Sequence, residues 1–154
     1  MREPFALDRK GRIKVKLDIN EVAVLGQLVP LLVAESPSPT EPRGRLPVYP
    51  GSPGDDEEFW RLMGSELTSD RADDRTRFEE TLGGAERGAV LSEGEAESWL
   101  RVLGEARLVL AVRLGIKEES DYDRARRDGG AEMATLDYLG YLQASLAMAL
   151  TRSS

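Results

Sequence analysis

The first seventeen residues show the hydrophobic and polar pattern of two short strands. Between residues 12 and 17 apolar side chains alternate strictly with basic ones, which is the period of a strand with one buried face. A shorter run at residues 5–7 precedes it, and the Lys10-Gly11 pair between the two runs favours a tight turn. The pattern therefore predicts a β-hairpin over residues 1–17.

Two capping boxes then mark the starts of helices. Asp18 is followed three residues later by Glu21, and Ser92 by Glu95, so that each acceptor has an acid that can reach back to it. Nearly every residue from Val22 to position 34 is apolar, which is typical of a helix in the core. Pro30 lies inside this run, and we expect it to kink the helix or to end its first part.

Three more helical regions follow from apolar residues at helical spacing, namely 55–82 as one helix or two in line, 93–114 and 131–150. Residues 116–131 are polar and predict a loop, whereas residues 89–91 are a candidate third strand beside the hairpin. Trp99 has the spacing of a core residue. Trp60 lies among charged neighbours and is either a core residue or an anchor for a partner. The sequence thus predicts an α+β, mainly α fold, a bundle of four to five helices with a small amino-terminal antiparallel sheet.

The prolines define a long connector. Six of the eight fall between positions 37 and 53, among serines and glycines, and predict an irregular connector over residues 35–54. The hairpin and the first helix are too small to fold alone. We therefore expect a single domain over residues 1–154, with a helical body at 55–150.

Composition excludes several kinds of chemistry. The 154 residues include no Cys and no His, which excludes thiol nucleophiles, disulfides, Cys/His zinc sites and Ser-His-Asp triads. Asp121, Asp123 and Glu132 match an EF-hand calcium loop, but Ala125 and Arg126 stand where that loop needs a ligand and a glycine. We predict that the protein is not an enzyme and that it binds no cofactor and no metal.

Charge is distributed unevenly along the chain. The formal net charge is −7, but residues 1–17 carry +4 and residues 54–98 carry −9. The candidate binding residues for nucleic acid or for an acidic partner are the hairpin cations Arg9, Lys10, Arg12, Lys14 and Lys16. In the alternative interpretation these cations are solvated and keep a sheet edge from pairing with other chains.

The hydropathy of the chain does not indicate a membrane protein. No run of 18 apolar residues occurs, and the amino end lacks the apolar stretch of a signal peptide. We therefore expect a cytoplasmic protein without membrane contact. The residue pattern does not indicate an oligomeric state.

Several blocks together resemble a known family. The chain at residues 11–25, 58–62, 96–115 and 137–146 resembles the actinobacterial AosR family of oxidative-stress-responsive transcriptional regulators. That family was formerly described as a domain of unknown function, and its genes lie near the gene of the Clp protease adaptor ClpS. The resemblance implies a cytosolic regulator that influences transcription under oxidative stress through an alternative sigma factor.

Two functional hypotheses follow. In the first, the protein is a non-enzymatic transcription regulator that binds promoter DNA or a transcription protein such as a sigma factor. It has no thiol switch of its own, because it has no Cys to oxidise. In the second, it is a protein-interaction adaptor that does not bind DNA and uses an acidic, exposed helix around residues 66–80.

Overall fold

Three short strands and a set of helices make up the described part of the chain. The computed structural model describes residues 3–35 and 71–153. The strands are Phe5–Leu7 (β1), Ile13–Val15 (β2) and Ala89–Leu91 (β3). The helices are Ile19–Leu25 (α1), Leu28–Glu35 (α2), residues 71–82 (α3), Glu93–Arg113 (α4), Ser120–Asp128 (α5) and Gly130–Ser153 (α6). The predicted α+β, mainly α fold is confirmed.

The sheet is antiparallel with the order β1-β2-β3, so that β2 is its central strand. One face carries apolar side chains and lies on α4 and α6; these side chains belong to Phe5, Leu7, Ile13, Val15, Ala89 and Leu91. The other face presents Ala6, Lys14 and Val90, which lie side by side across the three strands. The third strand predicted at residues 89–91 is thus confirmed, and it pairs with the second arm of the hairpin.

The first helical run is divided into α1 and α2. The predicted capping box at its start is confirmed, with Asp18 Oδ1 accepting from the Glu21 N–H at 2.8 Å and Glu21 Oε1 accepting from the Asp18 N–H at 3.0 Å. The expectation that Pro30 kinks or ends this helix is wrong in position, because α1 ends at Leu25 and α2 begins at Leu28. Pro30 lies in the first turn of α2, where a main-chain N–H has no helical acceptor in any case.

The long helix α4 has the limits that the sequence predicts. At its start Ser92 Oγ accepts from the Glu95 N–H at 3.1 Å, and Glu95 Oε1 accepts from the Ser92 N–H at 2.8 Å. It ends at Arg113, and Gly115 follows with φ +70°, a conformation that favours glycine. The last predicted helix, 131–150, is confirmed as α6.

An aromatic cluster centres the core on α4. Trp99 is fully buried and has the packing role that its spacing predicts. Its ring lies 5.8 Å from that of Phe5, edge to face, and 4.7 Å from that of Phe78. The Trp99 Nε1–H donates to Thr81 Oγ1 at 2.6 Å, which satisfies the one polar atom of the indole. The cluster joins the sheet, α3 and α4.

The loop predicted over residues 116–131 is wrong, because α5 forms inside it. Asp121 accepts two main-chain hydrogen bonds at Oδ2, from the N–H of Lys117 at 2.8 Å and of Glu118 at 3.1 Å. These bonds lower the pKa of Asp121 below its ordinary value. Ala125 is buried and attaches the short helix to the core. Asp121 therefore holds the turn before α5 together and is not arranged as a residue of a calcium loop.

Some predictions fall on residues 36–70. These are the Pro-rich connector after Glu35, the first part of the 55–82 helix, and Trp60, all of which lie outside the described residues. The described remainder of that helix, residues 71–82, is helical as expected. The single-domain organisation stays a prediction.

Candidate interaction site

The turn of the hairpin is held by one carboxylate. Asp8 Oδ1 accepts from the main-chain N–H of Lys10 at 2.9 Å and of Arg12 at 2.8 Å, and Asp8 Oδ2 accepts from Arg12 Nε at 2.8 Å. The main-chain N–H of Arg12, more than its guanidinium group, lowers the pKa of Asp8 below its ordinary value. Gly11 supplies the positive φ, +75°, that the turn requires. The turn therefore places Arg9 and Lys10 at one end of the sheet.

Three cations lie in a row on the outer face of the central strand. Arg12, Lys14 and Lys16 are exposed, whereas the apolar residues that alternate with them are at most 2 % exposed. Alternate residues of a strand are about 6.8 Å apart, so the row extends over roughly 14 Å. The structure thus brings three of the five predicted site residues onto one face and leaves Arg9 and Lys10 at its end.

The position of β2 bears on the alternative interpretation of these cations. A lysine protects a sheet edge only when it belongs to an edge strand. Lys14 lies in the central strand β2 and Lys16 lies in its continuation. The neighbours of this strand are β1 on one side and β3 on the other. Edge protection is therefore wrong for these two residues. Their charges point out from a sheet face.

Two neighbours of the row were not found by sequence reasoning. Val90 lies beside Lys14 on β3 and is 43 % exposed, although it is apolar. Arg87 is exposed in the loop before β3 and directly precedes Gly88. The Lys14 side chain passes over Gly88, because a Cβ at that position would lie 3.1 Å from Lys14 Cε. No pattern within the hairpin indicates this loop, because it joins the face only through the pairing of β2 with β3.

The acidic helix of the adaptor hypothesis is in part an internal element. In α3, Asp74 is buried and accepts from Ser98 Oγ at 2.9 Å, from Arg101 Nε at 2.8 Å and from a terminal Arg101 nitrogen at 3.0 Å. Asp73, Glu79 and Glu80 remain exposed. The expectation that the acids of this helix form a solvated face is thus wrong for Asp74.

The arginines of α3 are also directed towards α4. Arg75 forms an ion pair with Glu105 of α4, and Arg71 Nε lies 3.7 Å from the other carboxylate oxygen of the same residue. These contacts, together with those of Asp74, use the charges of α3 to attach it to α4. The described part of the helix therefore offers a smaller acidic surface than its sequence suggests.

A comparison with protein families decides the membership of the chain. A family described as a domain of unknown function, DUF2017, matches residues 1–150. The chain belongs to this family. No curated protein and no solved structure matches this DUF2017 chain. Its hairpin, with the cation row, lies within the matched residues.

The described part of this DUF2017 chain contains neither a membrane-spanning helix nor a cluster of metal ligands. Among residues 3–35 and 71–153, no helix is long and apolar enough to cross a membrane. Within the same two ranges, no three carboxylates come together in a way that could hold a metal ion. What the described surface offers chemically is a cationic sheet face that can bind an anionic group.

Proposed function

We propose that the protein is a non-enzymatic, cytoplasmic regulator of transcription that binds an acidic surface of a transcription protein, such as a sigma factor. The outer face of the sheet is the binding surface. The observation that carries the proposal is the row of Arg12, Lys14 and Lys16 on the central strand. The resemblance to the AosR family supplies the pathway, which is transcription under oxidative stress.

The charge of the whole chain opposes promoter DNA more than a protein as the partner. The net charge of −7 repels any anionic partner, but it repels DNA most, because a duplex carries about one negative charge per 1.7 Å of its axis. Val90 adds apolar area beside Lys14, and apolar area at the centre of a charged patch is typical of protein interfaces. A direct DNA contact is the alternative.

The proposed role requires no thiol chemistry in this chain. Because the sequence has no Cys, a response to oxidants has to come from the partner or from one of the four Met residues. We therefore expect the protein to bind its partner equally well in a reducing and in a mildly oxidising buffer, unless the partner itself is oxidised.

Charge reversal on the row tests the proposal. Wild type, a Lys14→Glu/Lys16→Glu variant and a Lys117→Glu/Arg127→Glu control are used to capture proteins from the native cell, which are then identified by mass spectrometry. Both variants change the charge equally, and the control residues are exposed in or before α5, away from the sheet. We expect wild type and control to retain a transcription protein at low salt and the row variant to lose it.

A titration with a promoter duplex separates the two partners. If DNA is the partner, affinity falls steeply, by about 10-fold or more, between roughly 50 and 200 mM salt, and the row variant removes it. That result would replace the protein partner by DNA. Equal capture of a transcription protein by wild type and by the row variant would contradict the proposed surface altogether.

A further inference from the structure

The outer edge of β1 carries main-chain groups that no described residue pairs. Pro4 O accepts from the Lys16 N–H at 3.0 Å, and the Asp8 N–H donates to Arg12 O at 2.8 Å, so that residues 4 and 8 are bonded to β2. Hydrogen bonds alternate along an antiparallel strand. The N–H and C=O groups of residues 5 and 7 therefore point away from β2, out of the sheet.

Beside this edge lies a cleft that α6 closes on one side. The cleft has a volume of about 310 Å³, and its lining includes Phe5 and Leu7 from β1 and Ser145, Met148 and Arg152 from α6. Met148 is 55 % exposed there. An added strand would satisfy the open edge and would cover Met148 at the same time. The edge and the helix flank thus form one surface that no residue of the ranges 3–35 and 71–153 covers.

We propose that a second copy of this chain occupies this surface, with the β1 strands of the two copies paired antiparallel about a two-fold axis at Ala6. In this register Phe5 of each copy lies opposite Leu7 of the other, and these are the residues whose main-chain groups are open. Each such pair exchanges two hydrogen bonds. Ala6 meets its own equivalent in the closely spaced, non-hydrogen-bonded position, where the two side chains on the axis are in contact.

Charge favours this occupant over an unrelated strand. The antiparallel register places Glu3, at the start of each β1, beside the turn of the other copy, which carries Arg9 and Lys10. The two-fold axis repeats this complementary contact. It also brings Met148 of one copy towards Met148 of the other, which removes two exposed apolar side chains from water.

The dimer would have one consequence for the sheet face. The two three-stranded sheets become one six-stranded sheet, and the cation rows of the two copies lie on the same side of it. The two central strands are then separated by three strand spacings, about 14 Å. The association itself does not depend on the partner proposed above.

A single introduced cysteine reports on the register, because the chain contains no other. Opposed residues in a non-hydrogen-bonded pair have Cα atoms about 4.5 Å apart, which is within the range of a disulfide. We expect Ala6→Cys to form a covalent dimer under mild oxidation at a rate at least 10-fold above that of Val90→Cys. Val90 is the matched control, since it is exposed on the same sheet face but on β3.

Sedimentation velocity with charged variants gives the second measurement. We expect wild type to reach twice the 17.0 kDa of one chain as its concentration rises, and Ala6→Glu and Ala6→Lys each to stay monomeric because like charges meet on the axis. An equimolar mixture of these two variants should recover the dimer. Circular dichroism checks that both variants are folded, and Val90→Glu should dimerise like wild type.

Two results would overturn the proposal. A wild-type chain that remains monomeric up to about 1 mM leaves the edge to an extended segment of another protein. A dimer that forms equally well with Ala6→Glu, or that cross-links as fast through Val90→Cys as through Ala6→Cys, uses a different surface.

Discussion

Replacement of Asp74 by alanine tests the difference between two acids that are adjacent in the sequence. Asp73 and Asp74 both lie in α3, but Asp73 is exposed and Asp74 is 4 % exposed. Asp74 accepts hydrogen bonds from the hydroxyl of Ser98 and from the guanidinium of Arg101. Asp73→Ala is therefore a matched control for the loss of one negative charge at nearly the same place.

The expected magnitude follows from the two residues that donate hydrogen bonds to the carboxylate, Ser98 and Arg101. Ser98 is fully buried, so its O–H group loses its acceptor without access to water, which costs about 1–3 kcal/mol. The Arg101 side chain is 54 % exposed and can be rehydrated, so we assign about 1 kcal/mol to its ion pair. Alanine returns roughly 0.5 kcal/mol of helix propensity. We expect Asp74→Ala to lower the free energy of unfolding by about 1.5–3.5 kcal/mol.

Urea unfolding followed by circular dichroism measures this difference. Asp73→Ala should lie within about 0.5 kcal/mol of wild type, because it changes an exposed position without partners in the described structure. The slopes of the unfolding free energy against urea should agree among the three proteins, since the native contacts elsewhere are kept. If Asp74→Ala is as stable as Asp73→Ala within about 0.5 kcal/mol, the buried network around Asp74 is refuted.

Three further changes have defined outcomes. Asp8→Asn should lower the melting temperature at pH 7, because the main-chain N–H of Arg12 stabilises the Asp8 carboxylate and lowers its pKa. The difference from wild type should vanish as the pH falls below roughly 4, because the native carboxylate is then protonated and its stabilisation is lost. Gly115→Ala should lower the free energy of unfolding by about 1 kcal/mol, since Gly115 has φ +70°, which disfavours alanine. Gly94→Ala in the first turn of α4 should leave it unchanged or raise it by up to about 1 kcal/mol. Urea unfolding distinguishes the two variants, and equal effects would contradict the role of the positive φ at Gly115. Trp99→Phe removes the indole hydrogen bond and part of a buried ring, and should cost about 2 kcal/mol in the same assay; a variant as stable as wild type would show that the ring is not central.

Local sequence predicts only part of the candidate site. The alternation of residues 12–17 predicts the outward direction of Arg12, Lys14 and Lys16, because a strand turns successive side chains to opposite faces. The neighbours of the row, Val90 and Arg87, are more than seventy positions away in the sequence. Only the pairing of β2 with β3 brings them together.

The sequence by itself determined the features that depend on interactions within a few neighbouring residues. The capping boxes at Asp18 and Ser92 and the end of the helix predicted over 93–114 depend on bonds and φ angles within one turn of helix. Both boxes form where the pattern predicts them, and the helix ends within one residue of its predicted limit. Hydrophobic periodicity likewise depends only on a window of the chain. These features therefore could be derived without knowledge of the fold.

The tertiary structure decided which of several equivalent residues is buried and which strand is central. Asp74 rather than Asp73 is internal because α3 turns that side towards Ser98 of α4. The first helical run breaks before Leu28 and not at Pro30, where the first turn of α2 tolerates proline. For Asp74 the outcome depends on contacts between residues of α3 and α4 that lie more than twenty positions apart, and no local window contains that information.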